Sequence, residues 1–352
     1  MNMLLLLVSA VILPIMALAA PSSQRTSDDD TDSSASSETD GIATKAQILL
    51  VNKAKSSDPK ERLAAVSRIR GLLSKNSNLD EVAIAQFVSI GVLPVLINFL
   101  KSKDDKLLVE AAQAFKSIAC CTALAVVKAG AVPLLVKLLQ SPNLEVCKCT
   151  VDVFSNIASH TNARKSKIVE AGAVPLLVKL LQSPNMDLCE KTAWALKNIA
   201  VVKAQEVVEA GALPHLVKLL RSENMKVCKQ TAWALTNITA ASPDLSLAVV
   251  KAGAVPLLVK LLQSPNMELC KEGAWALKNI AAASDDLALA VIEAGALPPL
   301  VKLLQSPDMN VCNQAALVIG IIIDHFPLLN GIDVEHIQIM VSQTSYFFGF
   351  NF

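Results

Sequence analysis

Pro94, Pro133, Pro175, Pro214, Pro256 and Pro298 recur at intervals of 39, 42, 39, 42 and 42 residues, each inside a near-copy of Ala-Gly-Ala-Val-Pro-Leu-Leu-Val-Lys-Leu-Leu-Gln-Ser-Pro-Asn. Self-similarity at a period of about 40 residues implies stacked units that share one continuous core, and this overrides the two-domain estimate that length alone would give. The hydrophobic content of 53% comes mostly from Ala, Leu and Val, with only 4% aromatic residues, so many small helix contacts are favoured over a few aromatic-centred cores. The expected fold class is all-α.

Each unit reads as three helices. A short first helix such as Leu287 to Glu293 stops at an Ala-Gly pair, where Gly295 can take the positive φ that ends a helix. A second, such as Pro298 to Gln305, carries proline in its first turn, where the missing N–H costs nothing. Ser-Pro-Asn then breaks the chain. A longer third helix follows, from about Met267 to Ala283, with the preceding Asn as its cap. Leu297, Leu300, Val301 and Leu304 have the spacing of a buried stripe that one unit cannot bury alone, so stacking is compulsory. The three-residue interval changes fall between Ser117 and Pro133 and between Asn198 and Pro214, where a loop is expected to absorb them.

Six full repeats run from about Asp80 to Asp324, after a half-repeat formed by Ala43 to Lys55 and Pro59 to Ser74. The expected organisation is therefore a repeat domain over 43–324 with other segments on either side. Residues 1–19 are apolar and end in Ala17-Leu18-Ala19, as a cleaved secretory signal would, and an uncleaved anchor is the alternative. Residues 20–42 are rich in Ser, Thr and Asp and read as a flexible acidic linker. Residues 325–352 lose the repeat and form either a degenerate cap or a tail ending Tyr-Phe-Phe-Gly-Phe-Asn-Phe. No other segment reads as an unbroken membrane span. A net charge of +1 gives no long-range field toward nucleic acid or an anionic membrane, so neither is an expected partner after signal cleavage.

One heptapeptide marks the third helices: Ala193-Trp194-Ala195-Leu196-Lys197-Asn198-Ile199, Ala232-Trp233-Ala234-Leu235-Thr236-Asn237-Ile238 and Ala274-Trp275-Ala276-Leu277-Lys278-Asn279-Ile280. Trp and Asn four apart share a helix face, so stacked copies make parallel ladders of indoles and carboxamides. A carboxamide can both donate to and accept from an extended peptide backbone without reading its sequence. Neighbouring indoles leave slots for the stem and cation of Lys or Arg, each contact contributing roughly 0.5–2 kcal/mol. The competing reading, tryptophans as core filler, would bury an Asn beside each of them, and buried carboxamides need partners.

On these motifs, and on Glu61-Arg62-Leu63-Ala64-Ala65-Val66 in the opening half-repeat, the chain resembles the importin-α family over roughly Ala43 to Asp324. The resemblance implies a right-handed armadillo-repeat superhelix, an α-solenoid, whose concave Trp and Asn rows bind basic nuclear localisation signal peptides. Those roles fall on Trp194, Asn198, Trp233, Asn237, Trp275 and Asn279, and on Asn156. It also implies a non-catalytic adaptor and a monomer. The family's basic amino-terminal segment, which recruits importin-β, is replaced by the acidic linker, so importin-β is not an expected partner.

Departures from the family pattern limit the ladder. Asp152 stands at the Trp position one repeat earlier, Gln113 and Ser117 replace the pair before that, and Leu317 and Ile321 replace it in the last repeat. Lys148, Lys229 and Lys271 precede the Trp position by one turn, and Lys197 and Lys278 abut the Asn row. These cations should oppose a basic ligand, while Asp152, Glu190 and Glu272 could offset them locally. Two functional readings follow: a receptor for basic peptides, acting in the cytoplasm and nucleus or exported, and a secreted scaffold that kept the solenoid and binds another partner.

The remaining candidates point away from catalysis. Cys147, Cys189, Cys228, Cys270 and Cys312 recur once per repeat, too far apart for disulfides if third helices pack about 8–10 Å apart, and read as small core residues. Met186, Met225, Met267 and Met309 are expected to fill gaps between repeats. The four histidines are scattered and no phosphate loop, nucleophile motif or metal-ligand spacing is present, so no cofactor, metal or enzymatic activity is expected.

Overall fold

The computed structural model of the chain describes residues 36–74 and 80–326. The expected signal, most of the linker, and the terminal tail apart from its first two residues lie outside them. Within the described residues every regular element is an α-helix. The half-repeat is α1 (Ser36–Lys53) and α2 (Pro59–Leu73), so the first helix begins seven residues before Ala43, inside the stretch read as linker.

The repeats follow: α3 (Asp80–Ser89), α4 (Val92–Phe99) and α5 (Asp105–Lys128); α6 (Val132–Leu138) and α7 (Leu144–Ala158); α8 (Asn162–Glu170), α9 (Ala173–Leu180) and α10 (Met186–Glu209); α11 (Ala212–Leu219) and α12 (Met225–Ala241); α13 (Pro243–Lys251), α14 (Val255–Leu261) and α15 (Met267–Ala281); α16 (Asp285–Glu293), α17 (Leu297–Leu303) and α18 (Met309–His325). The chain forms two compact units, 37–257 and 258–326 of the described residues. In the first, the third helices α7 and α12 pack on α10, and α5 packs on α7; in the second, α15 packs on α18. This is the architecture of an armadillo-type α-solenoid.

Ser-Pro-Asn acts as a two-stage cap. Ser183 Oγ accepts the Asn185 N–H at 3.1 Å, and Asn185 Oδ1 accepts the Leu188 N–H at 2.9 Å, starting α10. The pattern recurs at Ser222 and Asn224, which start α12, and at Ser264 and Asn266, which start α15. Gly295 takes φ 78° after α16, the left-handed turn that the Ala-Gly pair predicted.

The shortened intervals contain no loop. Where the interval is 42, a Ser cap such as Ser242 or Ser284 separates the third helix from the next first helix. The three-residue deletions remove that cap, so the chain stays helical through α5 and α10 and only kinks, at Thr122 (φ −131°, ψ 50°) and Lys203 (φ −126°, ψ 41°). Although α5 is as long and apolar as a membrane span, it buries Ala111, Phe115 and Ile118 fully, as a core helix does.

The core is the stripe the repeats share. Leu196, Ile199, Leu235, Ile238, Leu277 and Ile280 are all 0% exposed. Leu300 and Val301 are buried, with Leu297 and Leu304 half-buried beside them. Cys147, Cys189, Cys228 and Cys270 lie in the core and Cys312 is half-buried, and all five also serve the backbone: each donates Sγ–H to a carbonyl at the end of the preceding second helix, such as Leu139 O at 3.5 Å and Leu304 O at 3.2 Å. None of the eight cysteines, all among the described residues, forms a disulfide, and burial pushes Cys147 up to about 11, so it stays a thiol at neutral pH.

The methionine expectation holds only in part. Met186, Met225 and Met309 are exposed, because the first residue after the Asn or Asp cap points away from the shared stripe, whereas Met267 is half-buried and its Sδ accepts a hydrogen bond from Ser306 Oγ of the next repeat at 3.6 Å. Replacing a capping residue should cost what an N-cap contributes. Asn224→Ala is expected to lower the unfolding free energy by about 1 kcal/mol in chemical denaturation, and a Ser replacement to restore most of it.

Candidate functional site

The heptapeptide divides its residues between two faces of each third helix. Ala193, Ala195, Leu196 and Ile199 of α10 are fully buried, whereas Trp194 and Asn198 are half-buried and open to solvent along one edge. The same division holds in α12, with Trp233 and Asn237 half-buried beside buried Leu235 and Ile238. In the other unit, Trp275 of α15 is 37% exposed and Asn279 half-buried. Core filling therefore does not account for the tryptophans.

Each Asn of the row in the 37–257 unit reaches back to the third helix before it. Asn156 Nδ2 donates to Lys116 O at 3.4 Å. Asn198 Nδ2 donates to Ser155 O at 3.3 Å and to Ser159 Oγ at 2.9 Å, and Asn237 Nδ2 donates to Lys197 O at 2.9 Å. The carboxamide nitrogen thus braces adjacent repeats, each bond contributing about 1 kcal/mol. The carbonyl oxygens of Asn198 and Asn237 take no hydrogen bond among the described residues. The sequence suggested a freely available donor and acceptor; what the fold leaves for a ligand is chiefly the acceptor.

Charge along this face is largely paired internally. Asp152, at the Trp position of α7, is 4% exposed and lies between Lys116 Nζ at 2.8 Å and Lys191 Nζ at 2.8 Å. Burial is the largest single influence on the Lys116 ammonium and pulls its pKa down, but the hydrogen bond to Asp152 and the attraction of the negative charges around it together outweigh burial, and the pKa ends above the ordinary lysine value. Asp152 was expected to offset groove lysines for a ligand; instead two lysines consume it. Glu272 is 1% exposed, out of a ligand's reach, while Glu190 is half-buried. Lys148 pairs with Asp187 at 2.7 Å, a hydrogen bond that holds the Asp187 carboxyl below its usual value, and Lys271 pairs with Glu268 at 2.9 Å.

The lysines beside the Asn row do something else. Lys197 Nζ lies 3.8 Å from the Trp233 ring centroid and 5.9 Å from that of Trp194, and Lys278 Nζ lies 5.3 Å from that of Trp275. Burial lowers the Lys278 pKa. Sequence reasoning named Lys197 and Lys278 as obstacles to a basic ligand without seeing that they sit on the indoles. It missed Lys116 and Lys191 altogether; the signal for Lys116 was its 81-residue spacing from Lys197, repeated from Lys197 to Lys278.

The sequence pattern of the Armadillo/beta-catenin-like repeat matches residues 123–159, 161–201, 203–240, 242–282 and 284–324. The chain is 36% identical over 115 residues to importin subunit alpha-1b of Oryza sativa subsp. japonica, and 43% identical over 74 residues to importin subunit alpha-3 of Caenorhabditis elegans. These matches cover 31% and 21% of the chain but only 21% and 14% of those relatives. Among solved structures it is similar to an engineered protein (TM-score 0.70, 34% identity, 82% of this chain and 81% of that one). A designed armadillo repeat protein in complex with the peptide (KR)4 is also similar (TM-score 0.63, 36% identity, 65% of this chain and 99% of that one).

Removing the carboxylate that joins three repeats should be felt in stability. Asp152→Asn leaves Lys116 and Lys191 facing a neutral group and is expected to cost about 2 kcal/mol. That is below the 3–5 of a fully buried pair because both lysines retain solvent contact. Thermal unfolding of the variant checks this, and Asp187→Asn, an exposed partner, should cost well under half as much.

Proposed function

The chain belongs to the Armadillo/beta-catenin-like repeat family, and from that premise we propose that it is a non-catalytic receptor for extended peptides. The contact row is Trp194, Asn198, Trp233 and Asn237, with Trp275 and Asn279 supplying the same chemistry in their own repeat. One observation carries this reading: indole and carboxamide emerge together on the solvent side of helices whose remaining motif residues are buried. Third helices spaced about 8–10 Å apart address roughly two to three residues of an extended chain each, which rises about 3.4 Å per residue. Backbone N–H groups of the ligand would be accepted by the Asn carbonyl oxygens, and its side chains would lie against the indoles.

The likeness to importin-α subunits, and to a designed relative that holds (KR)4, supports basic peptides of the nuclear localisation type as the ligand class. Action as a monomer and without importin-β belongs to the same proposal. Fluorescence titration with an extended peptide tests it. Micromolar binding abolished by Asn198→Ala combined with Asn237→Ala is the expected result; binding unchanged by that pair would refute the contact row.

A second reading, a secreted scaffold with a non-nuclear ligand, is favoured by the lysines on the indoles and by the apolar segment over residues 1–19. Amino-terminal sequencing of the mature protein separates the two destinations. A start at Ala20 is expected on the secretory route, and a retained amino terminus together with recovery in the soluble fraction places the receptor in the cytoplasm and nucleus, whereas a retained terminus in the membrane fraction is the uncleaved anchor.

A further inference from the structure

Lysine occurs three residues after the Trp position in every second repeat, at Lys116, Lys197 and Lys278. Twice within the 37–257 unit this side chain reaches the Trp-position residue of the following repeat: Lys116 meets Asp152 at 2.8 Å, and Lys197 meets Trp233 at 3.8 Å from the ring centroid. Lys197 is only 7% exposed, with the second indole, Trp194, at 5.9 Å. An ammonium shared by two neighbouring indole faces occupies the place a ligand's Lys or Arg would take in such a ladder.

We infer that Lys197 is a specificity-determining residue that fills the cation slot between Trp194 and Trp233, so that the peptide register facing this slot carries no Lys or Arg. The inference rests on the receptor reading and narrows its ligand class. A ligand cation could enter only by displacing Lys197 or by lodging beside it, and like charges at about 4 Å repel several times more strongly at a partly dry protein surface than in water. The neighbouring repeat shows what the position is without a cation. Thr236 stands there in α12, 2% exposed, with its Oγ1 donating to Ala232 O at 3.1 Å. Threonine is therefore a replacement the helix already accommodates.

The test is fluorescence titration of the full chain at low salt with two octapeptides, (Lys-Arg)4 and (Gln-Thr)4. Lys197→Thr is expected to tighten binding of (Lys-Arg)4 by about tenfold, the upper range of a cation-on-indole contact, and to leave (Gln-Thr)4 unchanged. Lys226→Thr, which removes an exposed lysine from the first turn of α12, reads the non-specific effect of one charge and should change (Lys-Arg)4 affinity less than twofold. If Lys197→Thr leaves (Lys-Arg)4 affinity unchanged, or gains no more than Lys226→Thr, while the double Asn variant still abolishes binding, the slot assignment is overturned and the receptor stands. If neither peptide binds the native chain or the Lys197→Thr variant, the receptor reading fails and takes this inference with it. Should Lys197→Thr lose helical circular dichroism, Lys197→Met, which keeps the apolar stem without the charge, carries the same expectations.

Discussion

An armadillo repeat has nothing but another repeat against which to bury its third helix. Within the 37–257 unit that dependence is met twice over: apolar residues such as Leu196, Ile199, Leu235 and Ile238 vanish into the shared core, and asparagines hold the helices in register from the solvent side. The hydrophobic part is non-directional and fixes only that the helices touch. Bonds from Asn198 to Ser155 O and from Asn237 to Lys197 O fix which turn faces which turn. That register sets Trp194 and Asn198 beside Trp233 and Asn237 on one solvent-side row, with Lys197 within reach of both indoles.

The same side chains thus serve the fold and the proposed function, with consequences for both. A carboxamide anchored through its nitrogen presents its oxygen with little freedom left to lose, which lowers the entropy lost on binding a peptide backbone. Lysines exploit the same regularity. Lys116 and Lys197 extend from equivalent places to the residue at the Trp position of the next repeat, and the outcome depends on what they find: a carboxylate at Asp152, an indole at Trp233. Asp in place of Trp thus turns a cation-on-indole contact into an ion-paired brace on a helix of the same kind.

Much of this was legible in the sequence because repetition amplifies weak local signals. A lone Ser-Pro-Asn is an ordinary turn, yet its recurrence before three third helices, with Ser-Glu-Asn and Ser-Pro-Asp in its place before two others, identified the caps, and the Ala-Gly pairs identified the left-handed turns seen at Gly295 and its equivalents. The outward Trp-Asn face followed from helical periodicity. Three things did not follow. Loss of three residues was read as a shorter loop, when it removed a cap and fused helices at Thr122 and Lys203. Hydrophobicity favours the methionines inside, whereas position after the cap turns Met186, Met225 and Met309 outward and leaves Met267 half-buried. The partners of Asp152 lie 36 and 39 residues away in the chain, and which lysine meets which carboxylate depends on inter-helix register rather than on any local pattern.

The central claim is that the open indole-carboxamide row is the surface an extended peptide touches. Three tryptophans give three indole N–H resonances, so amide correlation spectra of the full chain recorded during peptide addition read that surface directly. The account predicts that the Trp194 and Trp233 indole resonances, assigned by single Trp→Phe replacements, shift progressively and saturate with the binding isotherm. Saturable binding that leaves all three indole resonances where they began would place the peptide elsewhere on the molecule and contradict it.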